Sequence, residues 1–475
     1  MSGEARVPDD PGPDALAVRR AEVLRALCGD AAPDVANHTG RIHGWRIDGT
    51  EIDLVTELDG VATFTERLRV VLPDGSALVP DASDSAVAGA LDVLALAASV
   101  SYLKATLPSR VDITHRGAGP AALAMLRALL TDGLAELALR GGLGRLDDAF
   151  LLPEVSAVPT PTDAGVRDGT LVTAGGGKDS ALTLALAARY DPDALAVAVN
   201  PRAPMERTAA WAGVGLVRIE RRLDRTLLDL NARGAINGHV PITAIVTSAA
   251  AVAAAMLGRG TVLVSNEGSA DAATREVDGW RVNHQYSKTS GFERLLGAAL
   301  DESGARTRVV SLLRPLSELA IARGVAREDG LVAQVTSCNA AFALDGPGDG
   351  WCGRCDKCRF VQLALAPFSE RTRLTTDLGF DALGDPDQVD AFATMLDATT
   401  KPFECVGTVE EVRLAFDLLS AADGWRDAAA VRALGDPAAP DLTGRLAAAI
   451  APDPGSMPPA PFDGWLRMLD AEVAP

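Results

Sequence analysis

Residues 170–190 read TLVTAGGGKDSALTLALAARY, and this stretch decides the fold class. The short apolar run at 170–174 is typical of a buried strand, and the Ala- and Leu-rich remainder predicts a helix from Ser180 to Arg189. The glycines between them allow positive φ and let backbone N–H groups approach an anion, which a helix N-terminus also attracts. The sequence therefore predicts a strand–loop–helix unit that binds phosphate.

Further apolar runs follow this unit at 194–200, 215–220 and 261–267, and an Ala-rich helical run covers 242–257. Alternation of strands with helices is typical of a parallel sheet that is covered on both faces. We therefore predict the α/β class for the middle of the chain.

The N-terminal part has a different pattern. Apolar and polar residues alternate over 44–78, and Asp59-Gly60 and Asp74-Gly75 are turn signals between the runs WRIDGTEIDL, VATFTERLRVVL and SALVP. This pattern predicts an antiparallel β-meander, and helical spacing predicts helices over 85–103 and 120–141.

The resulting domain prediction has three parts: an α+β N-terminal domain over 1–150, an α/β domain over 165–365, and a helical region over 366–475. Residues 153–169 are rich in Pro, Asp and Gly and are predicted to be a linker. The first 15 residues or so are predicted to be disordered.

Composition excludes several classes of protein. The 475 residues carry a net charge of −19, which repels phosphate backbones and anionic lipid, so we predict neither a nucleic-acid nor a membrane partner. The N-terminus lacks the apolar segment of a secretory signal, and the longest apolar run noted, 242–257, is too short to span a membrane. Four of the six cysteines lie close together, which favours a metal site in the reducing cytoplasm.

The glycine loop supplies the predicted phosphate ligands: Gly175, Gly176, Gly177, Lys178, Asp179 and Ser180. Lys178 adds a positive charge, and Asp179 is a candidate ligand for Mg²⁺. The loop lacks the G-x-x-x-x-G-K-[ST] pattern of a Walker A motif. A tight turn without a ligand is the alternative interpretation.

Cys338, Cys352, Cys355 and Cys358 have the spacing of a four-thiolate metal site. A closed shell of four thiolates leaves no open position, so we predict a structural Zn²⁺. An iron–sulfur cluster is the alternative metal group, because C-x2-C-x2-C also occurs in ferredoxins.

Three polar stretches contain the candidate catalytic residues. His239 follows Asn237 and Gly238 just before the Ala-rich helix, where an ordinary capped loop is an equally good interpretation. Glu267 lies at the C-terminal end of the strand predicted at 261–267, at an edge of the sheet where ligands bind in α/β proteins. A third set, His284, Tyr286 and Lys288, lies in the polar stretch 283–290 and consists of residue types that transfer protons.

The loop resembles the PP-loop of the N-type ATP pyrophosphatases, whose pattern is S-G-G-x-D-S; Gly175 replaces the first serine. This resemblance covers roughly residues 170–360 and implies an adenine nucleotide alpha hydrolase-like core that holds the pyrophosphate of ATP. The segment WCGRCDKC resembles the zinc-binding segment of the 7-cyano-7-deazaguanine synthases, another PP-loop family.

The strings GGGKDS, INGHVPITA, SNEGSA, VNHQYSK and PFECVG together resemble the MurL family of UDP-N-acetylmuramoyl-L-alanyl-L-glutamate epimerases. The resemblance runs over nearly the whole chain and implies inversion of the terminal L-Glu of a UDP-muramoyl dipeptide, for peptidoglycan synthesis. It further implies consumption of ATP with Mg²⁺ and release of AMP and pyrophosphate. His284 is our first candidate for proton transfer, followed by Tyr286, Lys288 and His239, and Asp179 or Glu267 is expected to position Mg²⁺.

Three alternatives remain open. One is another PP-loop enzyme, such as a 7-cyano-7-deazaguanine synthase-like ligase, and another is a zinc-stabilised tRNA-binding module, which the charge disfavours. The third is a PP-loop protein that only binds nucleotide, as the replacement of serine by Gly175 would allow. Oligomeric state is left unassigned.

Overall fold

The computed structural model describes residues 14–116, 118–154, 168–343, 346–397 and 406–471. The predicted disordered N-terminus, most of the predicted linker, and Cys405 of the PFECVG segment lie outside these described residues.

Most strands of the described chain belong to one mixed sheet. The strands are β1 (Thr39–Asp48), β2 (Glu51–Leu58), β3 (Ala62–Val71), β4 (Arg110–Ile113), β5 (Thr170–Thr173), β6 (Leu195–Val199), β7 (Leu216–Arg222), β8 (Thr261–Val264), β9 (Arg275–Val277), β10 (Trp280–Val282) and β11 (Arg308–Ser311). Nine of them form a sheet in the order β11-β8-β5-β6-β7-β3-β2-β1-β4, and β9 and β10 form a separate hairpin.

The predicted meander is confirmed, although its turns differ from the prediction. β2 pairs antiparallel with both β1 and β3. The first turn falls at Gly49, whose φ is +60°, inside the run WRIDGTEIDL that was treated as one strand. The run SALVP forms no strand and contributes only an isolated bridge between Val71 and Ala77. The meander therefore consists of three strands that precede the Asp74-Gly75 turn.

The prediction of a parallel sheet is confirmed only in part. β5 and β6 are parallel, with Leu171 opposite Leu195. β7, however, pairs antiparallel with β3, with Val70 opposite Ile219. The edge of a meander leaves N–H and C=O groups unpaired, and β7 satisfies those of β3. The sheet is consequently mixed, in an α/β fold.

The helices of the described residues are α1 (Ala15–Cys28), α2 (Ser85–Leu103), α3 (Pro120–Leu130), α4 (Ala135–Arg140), α5 (Lys178–Tyr190), α6 (Ala203–Ala212), α7 (Thr226–Ala232), α8 (Ile242–Met256), α9 (Ser290–Ser303), α10 (Glu318–Arg327), α11 (Asn339–Phe342), α12 (Asp356–Leu365), α13 (Arg371–Leu378), α14 (Val389–Ala393), α15 (Val409–Ser420), α16 (Ala429–Leu434), α17 (Leu442–Ile450) and α18 (Phe462–Ala471). The helix predicted over 120–141 is divided into α3 and α4 by a 3-10 turn at Asp132–Leu134. The region after residue 366 is helical, as predicted.

The chain divides into two compact units. The first contains Met1–Thr170, Val217–Val262 and Arg275–Val309, and the second contains Leu171–Leu216, Leu263–Thr274 and Val310–Pro475. The boundaries predicted at 150, 165 and 365 stay predictions.

Helix α2 is the one described helix that is long and apolar enough to cross a membrane. It was not singled out from the sequence, where 242–257 was taken as the longest apolar run. Of its most apolar 18-residue stretch, 94% is buried inside the protein. This is the burial expected of a core helix, and α2 packs against β1 and β2.

Candidate active site and metal centre

The glycine loop of the second unit connects β5 to α5 in a conformation that only glycine allows at one position. Gly176 has a φ of +78°, and a Cβ added there would lie 2.9 Å from Pro204 Cβ. Gly177 is the N-cap of α5, which begins at Lys178 rather than at the predicted Ser180. The first amides of α5 therefore follow a tight glycine turn, the backbone arrangement that binds phosphate in other α/β proteins.

Gly175 differs from its two neighbours because it has space around it. A Cβ added there would meet only Ser180, at 3.6 Å from the hydroxyl oxygen and 4.0 Å from Cβ. Both are ordinary van der Waals contacts. The serine of the PP-loop pattern would fit at this position, so sterics do not require glycine there.

Lys178 does not extend into solvent. Its side chain is 1% exposed, and Nζ donates to the carboxylates of Asp179 and Glu318. Burial by itself lowers the pKa of Lys178, but these two carboxylates raise the pKa above its ordinary value, so the ammonium stays charged. Lys178 therefore joins the loop to the start of α10.

Glu318 is a site residue that the sequence analysis missed. Its side chain is 1% exposed. Burial raises the pKa of Glu318 to about 7, against the opposing effect of Lys178 and with a further contribution from Asp179 and Glu267. The backbone N–H of Glu318 donates to Glu411 Oε1 at 2.7 Å. No local motif marks Glu318, because its partners are distant in sequence.

Side chains from the ends of β8 and β11 lie near the loop helix within the same unit. The Ser265 hydroxyl donates to Thr183 of α5 at 2.8 Å, and Asn266 donates to the Ser311 hydroxyl at 3.1 Å. Arg314 donates to the backbone oxygen of Glu267 at 2.9 Å and is itself buried. The predicted polar edge after β8 thus has a fixed structure, with Arg314 as an unforeseen cation.

The four predicted metal ligands are brought together by the fold. Sγ atoms of Cys338, Cys352, Cys355 and Cys358 all lie within 4.8 Å of one another. Separations are 3.4 Å for Cys355–Cys358, 3.7 Å for Cys352–Cys358 and 4.0 Å for Cys338–Cys355. A tetrahedral zinc site with Zn–S distances of about 2.3 Å has sulfur–sulfur separations of about 3.8 Å. The cluster can therefore hold Zn²⁺.

Backbone N–H groups around the cluster point towards sulfur. Cys352 N–H lies 3.4 Å from Cys338 Sγ, and Cys355 N–H lies 3.3 Å from Cys352 Sγ. Such donors stabilise thiolates and orient metal ligands. Arg359, which follows Cys358 directly in the sequence, is paired with Asp356 at 2.7 Å.

His239 belongs to the first unit, where it faces an acidic partner on α4. Its Nδ1 lies 3.3 Å from Glu136 Oε2, and Arg140 binds the other Glu136 oxygen at 2.8 Å. Burial lowers the pKa of His239; Glu136 opposes this effect and Arg140 adds to it. The imidazole is consequently neutral near pH 7 and can accept a proton.

Lys104 lies beneath the same loop and was not named as a site residue from the sequence. It is 4% exposed, and its ammonium donates to Asn237 Oδ1 at 2.9 Å and to the Ile236 carbonyl at 3.4 Å. Burial lowers the pKa of Lys104 to about 8. Its position in the SYLKA segment gives no signal of this role, because the contact spans 133 residues.

The polar stretch 283–290 forms a turn between β10 and α9 in the first unit. Tyr286 and Lys288 lie in a 3-10 turn, and His284 precedes it as a half-buried residue. The Tyr286 hydroxyl hydrogen-bonds Asp132; burial, together with Asp132, raises the pKa of Tyr286 to about 12. Tyr286 is therefore protonated at neutral pH.

The predicted site residues thus fall into two sets. The loop residues, Glu267 and the four cysteines lie in the second unit; His239, His284, Tyr286 and Lys288 lie in the first. In the second unit the structure adds Glu318 and Arg314 to these residues. In the first unit it adds Lys104, Glu136 and Asp132.

Comparison with known proteins gives a consistent result over most of the chain. Residues 41–312 match the MurL N-terminal domain, and residues 334–448 match the MurL C-terminal domain. A protein of Salinispora tropica is 43% identical over 403 residues, which cover 84% of this chain and 87% of the relative. A Micromonospora protein is 42% identical over 80% of this chain and 86% of its own length. A third protein, from Xanthomonas oryzae pv. oryzae, is 36% identical over 76% of this chain and 81% of its own length. Each of the three is named UDP-N-acetyl-alpha-D-muramoyl-L-alanyl-L-glutamate epimerase.

Proposed function

Because this chain belongs to the MurL family, we propose that it is an ATP-dependent epimerase that converts the terminal L-Glu of UDP-MurNAc-L-Ala-L-Glu to D-Glu. The observation that carries the ATP dependence is the loop between β5 and α5, with Gly176 at positive φ next to Pro204. The product would serve peptidoglycan precursor synthesis in the cytoplasm.

The chemistry explains why a triphosphate is needed. Removing an α-proton beside an ionised carboxylate places a second negative charge on the same group. Attack of that carboxylate on the α-phosphorus of ATP forms an acyl adenylate and releases pyrophosphate. The acyl group then acidifies the α-carbon, so that a base can remove the proton and a donor on the opposite face can return one. Water finally cleaves the mixed anhydride and releases AMP.

The loop residues would bind the pyrophosphate portion of ATP through the amides that begin α5, including the amide of Ser180. Asp179 or Glu267 would position Mg²⁺. Lys178 supports this arrangement from within the protein, because it pairs with Asp179 and Glu318. In this proposal Lys178 holds the loop in place, and it does not contact phosphate directly as the sequence analysis expects.

For proton transfer we retain His284 as the first candidate, with Tyr286, Lys288 and His239 as the others. His239 is supported as an acceptor by the burial that keeps it neutral, and Tyr286 as a donor by its raised pKa. Four of the six cysteines are grouped for metal binding, which disfavours a two-thiol racemase.

We further propose a PP-loop core over 165–365, an α+β N-terminal domain over 1–150 and a helical region over 366–475. The cysteine cluster would hold a structural Zn²⁺. A 7-cyano-7-deazaguanine synthase-like ligase would share the loop and the cysteines, but the family matches over both halves of the chain favour the epimerase.

The decisive experiment incubates the protein with ATP, Mg²⁺ and the L-Glu substrate in D₂O. We expect AMP, inversion of the terminal glutamate on chiral analysis, and deuterium at its α-carbon. Inversion at full rate without ATP would refute the adenylation route. AMP release that depends on a different carboxylic acid would instead support another PP-loop ligase.

Two variants divide the reaction into its steps. Asp179→Asn is expected to abolish AMP formation, whereas Asp193→Asn, at an exposed position in the same unit, should leave it unchanged. His284→Ala is expected to slow inversion more than AMP formation. Equal loss of both activities would argue against His284 as the proton carrier.

A further inference from the structure

Ser337 lies against the glycine loop although it is more than 150 residues away in sequence. Thr336 N–H donates to the Gly176 carbonyl at 2.8 Å, which fixes the backbone next to the loop. A Cβ added to Gly177 would lie 3.1 Å from Ser337 Cβ and 3.7 Å from its hydroxyl oxygen. The Ser337 side chain therefore borders the N-cap of α5.

The hydroxyl of Ser337 is buried and has no hydrogen-bond partner among the described residues. Leaving a buried polar group unsatisfied destabilises the folded protein. Buried hydroxyls in native proteins are nearly always paired, so an exception next to an anion-binding loop indicates that a ligand supplies the partner.

The loop itself lacks one hydroxyl. Gly175 stands where the PP-loop pattern has its first serine, and among the described residues only the Ser180 side chain lies within 4 Å of the position that a Cβ would take there. Ser180 is already engaged, since its hydroxyl donates to the Gly177 carbonyl at 3.1 Å. The loop thus lacks the hydroxyl donor of its first position, and Ser337 brings a hydroxyl close to the loop from a different segment of the chain.

We propose that Ser337 donates a hydrogen bond to the pyrophosphate portion of bound ATP and so performs the role of the serine that Gly175 replaces. This inference rests on the proposed function, because it assumes that the loop binds a polyphosphate. It adds a ligand-binding residue from the segment that precedes α11, outside the contiguous loop motif.

The test measures binding of Mg²⁺–ATP and of inorganic pyrophosphate to the full-length, metal-loaded protein by calorimetry. A hydrogen bond to a charged group is worth about 1.5–3 kcal/mol, so Ser337→Ala is expected to weaken both affinities by about tenfold to a hundredfold. Ser248→Ala is the matched control, because Ser248 is a serine of α8 whose buried hydroxyl likewise has no hydrogen-bond partner in the described part of the chain. It should bind both ligands with wild-type affinity.

Rescue distinguishes phosphate binding from a merely structural role. Because a side chain fits at residue 175, Gly175→Ser combined with Ser337→Ala is expected to restore most of the affinity. Wild-type affinity in Ser337→Ala, or a loss that Gly175→Ser does not restore, would overturn the inference and leave the proposed function intact. A wild-type protein that binds neither ligand would overturn both.

Discussion

The pairing of Lys178 with Glu318 gives a prediction about stability that follows directly from burial. Lys178→Met removes the ammonium and leaves the Glu318 carboxyl group, which is 1% exposed, without its countercharge. Asp179 is 24% exposed and remains hydrated, so Glu318 dominates the cost. Removing one member of a buried ion pair costs about 3–5 kcal/mol, a large part of a typical stability of about 5–15 kcal/mol. We expect the free energy of unfolding to fall by about 3–5 kcal/mol at pH 8.

The pH dependence gives this prediction a sign. Burial already raises the pKa of Glu318 to about 7, and loss of Lys178 raises it further. When folding raises the pKa of a carboxyl group, the protein becomes more stable as pH falls, because the folded state binds the proton more tightly than the unfolded state does. The penalty of Lys178→Met should therefore be larger at pH 8 than at pH 5.

Urea denaturation followed by tryptophan fluorescence measures this effect, since Trp425 and Trp465 lie in the core of the same unit. Adding Glu318→Gln to Lys178→Met removes the stranded charge and should recover about 1–3 kcal/mol. Arg189→Met is the control on the same helix, because its partly exposed pair with Glu328 is worth at most about 1 kcal/mol. Equal urea midpoints for wild type and Lys178→Met at pH 8 would refute the reasoning.

Three other predictions concern the metal centre, the loop and a buried lysine. Cys352→Ser should lower the zinc content of the protein, measured by atomic emission, to a small fraction of one equivalent. The control Cys28→Ser should retain its zinc. Zinc retention in both variants would contradict the assignment. Gly176→Ala should abolish ATP binding, and it should lower the free energy of unfolding by at least about 1 kcal/mol more than Gly213→Ala does. Both glycines have positive φ, but of the two only Gly176 has described neighbours within 4 Å of an added Cβ. Burial lowers the pKa of Lys104 to about 8, so the folded state releases a proton that the unfolded state keeps, and wild-type stability should rise relative to Lys104→Met between pH 8 and 10. Parallel urea midpoints of these two proteins over that range would contradict the lysine prediction.

Local patterns predicted the elements of this fold well. The helix over Ser85–Leu103 and the strand over Leu195–Val199 were recognisable because side-chain periodicity is a property of neighbouring residues. The same holds for the cysteines, whose spacing reflects the turns that bring their four sulfur atoms together. The turn at Gly49 was missed because a longer alternating run concealed it.

Pairing between distant segments could not be read in this way. β3 binds β7 across the sheet, and Glu66 of β3 is fully buried against Arg221 of β7, with 2.6 Å between Oε1 and Nε. From the sequence Glu66 is an ordinary polar residue of an alternating strand. Only the partner strand makes its burial possible, because a buried carboxylate needs a countercharge.

The amino-acid sequence by itself determined the strand–glycine loop–helix unit, the meander, the grouping of four cysteines and, through its resemblance, the family. The tertiary structure alone decided that Lys178 is buried between Asp179 and Glu318, and that Ser337 borders the loop. The physical reason is that charge state and solvent access depend on which distant side chains surround a group. Periodicity and spacing describe only the neighbours along the chain.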